Sequence, residues 1–474
     1  MENVRQRITL RIPAKASMWY VASSAIARMI GALGTPIFTR LLTADEYGLY
    51  PLYNTWLGVL SVLITLEIGG AIMYRGLQRY GDRADEFVSA ALGIILMIFS
   101  GFCILYFAFH RLFNIITTLT PPTTLLMLTQ ILASATLSLY TAKARFEYRY
   151  KAVALLNILT AIATPSVAVL LIQVLLIQVL GIRAESRVIS SALTLSTIAL
   201  PILLSTVKKS KMLYSREIWS YLLRKSLPLL PHYFAMTMIL KAGEIALSRI
   251  HGAESLGKFS VALSLGMSVT VVSSGVMSAL SPWMLRRVRT KEIDRVRELL
   301  LLITKLICLA CLGLCAIAPE AIALFASPAY RTALPAVYPL ALSVIPTFLS
   351  GALMSGAVYF ERSGISALPS IAAASLSTLL ALTVLPRTDY TALGITTLAA
   401  YTLLAAINVI VFTRLAKQSP IDVKATALLF TATCGYAALL FALHASLPLR
   451  IILAIPLAPA LYKIGKEALG KIRE

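Results

Sequence analysis

Charge is scarce in this chain. Asp, Glu, Lys and Arg make up 14% of its 474 residues, while 58% are hydrophobic. A soluble domain rarely exceeds about half apolar, so this balance excludes a soluble globular protein. Cysteine is scarce as well. Cys103, Cys308, Cys311, Cys315 and Cys434 all lie in apolar runs. Cys308, Cys311 and Cys315 share a helical face, no Cys-x-x-Cys pair recurs and no histidine cluster accompanies them. They read as packing thiols, and no metal site or catalytic residue is expected. The phosphate-cradling Gly-x4-Gly-Lys-Ser/Thr motif is missing, and so is Gly-x-Ser-x-Gly, so nothing here points to ATP hydrolysis. Long hydrophilic connections are missing too. The longest external one, 319–336, leaves no room for an external domain. Residues 1–15 carry four cations but no apolar core with a cleavage site, so the first apolar run is expected to be retained.

What is present is apolar sequence in span-length runs. The mean hydropathy is +0.82, and a helix needs about 20 apolar residues to cross a bilayer. Fourteen runs qualify: 17–39, 52–73, 87–110, 123–144, 152–179, 188–204, 227–250, 261–280, 299–318, 337–360, 366–385, 394–413, 425–443 and 451–462. The fifth is over-long and is expected to tilt or bend. The expected fold class is an all-α polytopic membrane protein of about 14 transmembrane helices. The net charge is +22. In a soluble protein that would invite nucleic acid, but no basic stretch here has the aromatic pattern of a reader. Sorted by loop, 31 cations fall on one side and nine on the other, with Arg28, Lys241 and Lys305 inside spans. The basic side is the cytoplasmic one, which puts both termini inside a cell (inner, cytoplasmic) membrane.

The chain also repeats. Arg40-Leu-Leu-Thr-Ala-Asp-Glu-Tyr-Gly-Leu-Tyr50 returns as Arg249-Ile-His-Gly-Ala-Glu-Ser-Leu-Gly-Lys-Phe259, 209 residues later. Adding that offset to the first six spans lands near the next six. Six is even, so the halves enter from the same side as parallel repeats. This divides the chain into a six-helix bundle (1–206), an amphipathic cytoplasmic linker (207–226), a second six-helix bundle (227–416) and two extra C-terminal helices with a tail (417–474). In the linker, Ser215 is positioned to cap a helix whose apolar face is Ile218, Trp219, Leu222 and Leu223. That face is expected to lie on the cytoplasmic leaflet.

Charges inside spans carry the functional argument, because each costs at least about 2.5 kcal/mol at mid-membrane. Arg28 lies about 12 residues into the first span, roughly 18 Å deep. Lys241 lies just past the middle of the seventh span, the repeat counterpart of the first. Two fixed cations suit a phosphate or diphosphate, Arg by bidentate bonds and Lys as a point charge. The plain alternative is that Lys241 pairs with Glu244, three residues on, and that Arg28 caps carbonyls. Glu244 is either that counter-ion or a carboxylate that takes a proton or sodium ion during coupling. Glu67, before Gly69-Gly70, is either a gate residue or interfacial. Lys305 is within snorkelling reach of the cytoplasm. His110, His232, His251 and His444 lie near span ends and read as interfacial.

Three stretches carry a family likeness. They are Arg40 to Tyr50 after a Gly-rich span, Lys241-Ala-Gly-Glu-Ile-Ala-Leu-Ser-Arg249 followed by Gly257-Lys-Phe259, and Pro319-Glu320 through Ser327-Pro-Ala-Tyr330. The chain resembles the polysaccharide flippase branch of the multidrug/oligosaccharidyl-lipid/polysaccharide (MOP) exporter superfamily. The likeness is to the O-antigen, Wzx-type members more than to the twelve-span drug antiporters. It implies a MATE-like pair of six-helix bundles around a cationic cavity. It implies alternating access that carries an undecaprenyl-diphosphate-linked oligosaccharide from the cytoplasmic to the outer leaflet. Membrane lipids and polysaccharide polymerase or assembly proteins are the other implied partners. No cofactor is implied beyond a coupling proton or sodium ion. Arg28 corresponds to the lipid II flippase in helix and residue type only. A cation-coupled drug or metabolite antiporter is the near rival. A membrane enzyme acting on lipid-linked glycans is the distant one, and the short loops argue against it.

Overall fold

The computed structural model describes residues 19, 22–24, 26–31, 33–175, 184–210, 212–290, 292–357 and 367–473. Among them there is no strand; the chain is a succession of helices. Among the described residues eleven helical stretches are long and apolar enough to cross a membrane; fourteen spans were expected of the whole chain. Parts of the expected first, fifth, tenth and eleventh spans lie outside the described residues, as do the N-terminal cations, Arg183, Lys291 and Arg362.

The chain forms two compact units, Met1–Phe234 and Ala235–Glu474. In the first unit, the described residues between 22 and 41 are helical (α1). They are followed by α2 (Ala44–Thr65), α3 (Ala71–Arg79), α4 (Ala84–Thr117), α5 (Pro121–Phe146), α6 (Tyr150–Leu170), α7 (Ser186–Ser210) and α8 (Arg216–Ser226). Thr43 starts α2 through a reciprocal capping box: its hydroxyl accepts from Glu46 N–H, and its own N–H donates to Glu46 Oε2 at 2.8 Å. Such a box answers two of the donors a helix start leaves bare. α5 packs along α7, with α4 and α6 on either side. A buried amide ties three helices together: Gln130 Oε1 accepts from Tyr53 Oη at 2.7 Å and from Ser191 Oγ at 3.0 Å.

The expected second span, 52–73, is not one helix. It stops at Thr65, turns through Leu66 and Glu67, both at φ 50°, and restarts as α3. The linker also differs from expectation. Residues 207–210 belong to α7, and α8 starts at the Ser215 cap, with Ile218 N–H reaching Ser215 Oγ at 3.5 Å. Its apolar face does not lie free for a leaflet. Ile218 and Leu222 are 0% exposed, inside a cluster with Leu77, Tyr80, Phe87 and Val88 of α3 and α4 and the turn between them. The Trp219 indole N–H donates to the Leu213 carbonyl at 3.1 Å. A face that has apolar protein beside it buries there first, because the same area leaves water either way and the protein contacts are fixed by packing.

The second unit holds most of α9 (Leu230–Gly266), then α10 (Thr270–Arg289), α11 (Ile293–Phe325), α12 (Leu334–Leu342), α13 (Val344–Ala357), α14 (Ala367–Val384), α15 (Ala392–Ala416), α16 (Val423–Ala442), α17 (Leu447–Ala454) and α18 (Leu457–Arg473). α15 packs on α13 and α14, and α11 packs on α16 and α18. The expected seventh and eighth spans lie in one apolar helical stretch, Leu230–Met277, broken at Gly252 by φ 82° and ψ 178°. Gly252 stands 209 residues after Thr43, so both copies of the repeated motif interrupt a helix at the same position. The three cysteines on α11 are buried, and Cys311 Sγ donates to the Ala341 carbonyl at 3.2 Å. The C-terminal pair is fastened by Arg450. This residue is 3% exposed, bonded to Glu320 at 2.7 and 2.5 Å and to the Ala316 carbonyl at 2.6 Å.

Candidate functional site

Lys241 and Glu244 come together as the i, i+3 spacing requires. Lys241 Nζ stands 2.7 Å from Glu244 Oε2 on α9. Glu244 is 3% exposed, whereas Lys241 keeps about a quarter of its side chain open. The helix is set close to its neighbours by small residues. A Cβ on Gly243 would stand 2.4 Å from Leu393 Cδ1, and Ala235 and Ile239 pack with Ala373, Ala374, Ala400 and Tyr401. Tyr401 lies within electrostatic reach of Glu244. Of the two sequence readings of Glu244, the counter-ion geometry is the one present. The pair leaves the ammonium partly accessible, with further N–H donors able to meet an anion.

Arg28 lies on α1 in the first unit, exposed, one residue after Ala27 and three before Gly31. It belongs to a different unit from Lys241. Glu67 sits half-buried in the left-handed turn between α2 and α3. Gly69 in the same turn lies so close to α5 that a Cβ there would stand 2.2 Å from Ser138 Oγ. Glu67 and Arg75 both act on Tyr233 electrostatically, which makes a small polar cluster where α9 begins. Among the described residues no group of three His, Cys, Asp or Glu is arranged to hold a metal ion.

Two charged residues escaped the sequence reading because it assigned them to external loops. One is Arg450, whose partner Glu320 is 130 residues away. The other is Arg187, at the start of α7. Its guanidinium carbon stands 4.3, 5.0 and 3.9 Å from the ring centres of Phe38, Tyr47 and Tyr50. The only sequence signal was the i, i+3 pair of tyrosines in the repeated motif.

Apolar helical stretches of span length, eleven among the described residues, define a multi-pass membrane protein. Solved structures share the fold. The lipid II flippase MurJ in an inward closed conformation matches with a TM-score of 0.70 at 12% identity, over 94% of this chain and 98% of that one. An inward-facing multidrug resistance MATE family transporter of the MOP superfamily matches with a TM-score of 0.61 at 15% identity, over 82% and 96%. A MOP superfamily transporter from Pyrococcus furiosus, described as having a binding pocket of reverse polarity, matches at 0.57 and 15%, over 86% and 97%. No curated protein matches the chain. Residues 14–288 match the family described as polysaccharide biosynthesis protein, and the chain belongs to that family.

Proposed function

We propose that the chain flips a polyprenyl-diphosphate-linked oligosaccharide from the cytoplasmic to the outer leaflet by alternating access, for assembly of a cell-surface polysaccharide. The family match over residues 14–288 carries this reading. The MurJ-like fold over 94% of the chain supports it, since MurJ is named a lipid II flippase. In this reading Arg28 and Lys241 hold the diphosphate, the glycan crosses through a polar interior and the lipid tail stays among the helices. Glu244 holds Lys241 in place through their 2.7 Å contact. Glu67, in the turn where α2 breaks, acts as a gate or coupling group. The membrane is the cytoplasmic membrane with both termini inside.

The test is translocation of a labelled lipid-linked oligosaccharide in proteoliposomes. Removing Lys241 alone would leave Glu244 buried without its counter-ion, an arrangement that costs about 3–5 kcal/mol in buried pairs. The informative variant is therefore Arg28→Ala with Lys241→Ala and Glu244→Gln, checked for a wild-type elution profile. Translocation is expected to fall to the protein-free rate. Transport that survives in this folded variant sinks the anion-holding role. Efflux of a small cation driven by a proton gradient, with no movement of the lipid-linked glycan, would favour the drug antiporter.

A further inference from the structure

The first unit contains a cavity of about 330 Å³ that includes none of the residues singled out above as binding or coupling groups. Its polar end is Arg187, described above against its three rings. Ring faces hold a cation in place, but they answer few of the five N–H donors of a guanidinium. Nη1 is buried without a hydrogen-bond partner. No carboxylate of a described residue stands within ion-pair distance of Arg187. Among the described residues, this positive charge at one end of the cavity has no ion-pair partner.

The opposite wall is rich in acceptors. Thr160 spends its hydroxyl hydrogen on the carbonyl of Leu156 at 2.8 Å, which turns oxygen lone pairs to other donors. Asn157 uses its amide N–H on Ser23 Oγ at 3.4 Å and keeps its carbonyl. Pro165 removes the helix donor that the Ala161 carbonyl would otherwise have, and both residues line the cavity. Gly31 lines the cavity and faces open space. A Cβ placed there meets nothing within 4 Å. The walls are tied by the Asn157–Ser23 bond and by Ser190 Oγ donating to the Thr164 carbonyl. One fixed cation, several acceptors and a volume at the small end of ligand pockets match one kind of occupant: a single sugar-sized group with hydroxyls and an oxyanion.

We propose that this cavity binds a sugar-sized oxyanion of the sugar phosphate or uronic acid class, with Arg187 as its anion ligand. Neither Arg28 nor Lys241 lines this cavity, and the proposal does not rest on the flippase reading. The group comes either from the aqueous phase or as part of a lipid-linked glycan.

Calorimetric titration of the purified full-length chain in detergent micelles separates the outcomes. The soluble probes are glucose 1-phosphate, glucuronate and neutral glucose. Saturable binding of both anions, at least tenfold tighter than glucose, is expected if the source is aqueous. Arg187→Gln should weaken the anions by roughly 10- to 100-fold, the usual loss for a charge-assisted contact, and leave glucose unchanged. Gly31→Leu fills the space without touching Arg187 and should abolish all binding, so the test does not depend on Arg187→Gln folding. If the soluble probes do not bind, the same variants are compared in nanodiscs containing a polyprenyl-phosphate hexose. Retention that depends on Arg187 and Gly31 assigns the group to the lipid-linked source. Anions that bind no tighter than glucose, binding that ignores both substitutions, or no retention from either source overturns the proposal.

Discussion

At the residue scale, two positions 209 apart show one backbone problem answered by two chemistries. Thr43 breaks the chain with an extended ψ of 164° and repairs the bare helix start with its hydroxyl. Gly252 breaks it at φ 82° and ψ 178°, a region essentially closed to residues with a Cβ. Gly252→Ala is therefore expected to cost about 1–3 kcal/mol, and Thr43→Ala about 1 kcal/mol, in chemical unfolding followed in micelles. A Gly252→Ala protein as stable as wild type would mean the break is not required. The sequence showed the motif and its repeat, since both rest on residue identity. It did not show that the fourth position is where each helix is interrupted, because a threonine and a glycine share no side-chain signature. Lys241 and Glu244 were legible for the opposite reason: three residues on a helix are neighbours whatever surrounds them.

At the element scale, α8 was legible as a helix with a cap and an apolar face, and its partner was not. Amphipathicity says that a face is to be buried, not whether lipid or protein buries it. Here α3, α4 and the turn between them cover Ile218 and Leu222 completely. Ile218→Asp is expected to release α8, at a cost of roughly 3 kcal/mol or more for a buried uncompensated charge. Trypsin should then cut among Arg216, Arg224 and Lys225 much faster than in wild type. The wild-type protection should persist in micelles. If wild-type protection instead disappears whenever the bilayer is removed, the leaflet and not the bundle holds this helix. α2 makes the same point from the other side. Its apolar run continued past Thr65, so hydropathy carried the span through to Met73. The turn at Leu66 and Glu67 is set by the close approach of Gly69 to α5.

At the scale of the whole molecule, the C-terminal helices read from sequence as an addition to two repeated bundles, yet they are built into the second unit. α11 packs on α16 and α18, and Arg450 at the head of α17 is locked onto Glu320. A chain truncated after residue 416 would leave the Cys308, Cys311 and Cys315 face of α11 uncovered and Glu320 without its cation. It is expected to aggregate in fluorescence-detected size-exclusion chromatography, where the full chain is expected to elute as one peak; a sharp peak from the truncated chain would show that the last helices are dispensable. The amino-acid sequence by itself determined that the protein is helical, membrane-spanning and duplicated, and that Lys241 faces Glu244. The first three follow from composition and from residue identity along the chain, and the last from spacing within one helical turn, none of which tertiary packing can alter. Only the tertiary structure decided that Arg187 enters a cage of Phe38, Tyr47 and Tyr50 beside an acceptor-lined cavity, and that Arg450 finds Glu320. Both charges sat in stretches that looked like loops, and their partners are brought in from more than a hundred residues away by helix packing, for which the local pattern carries no term.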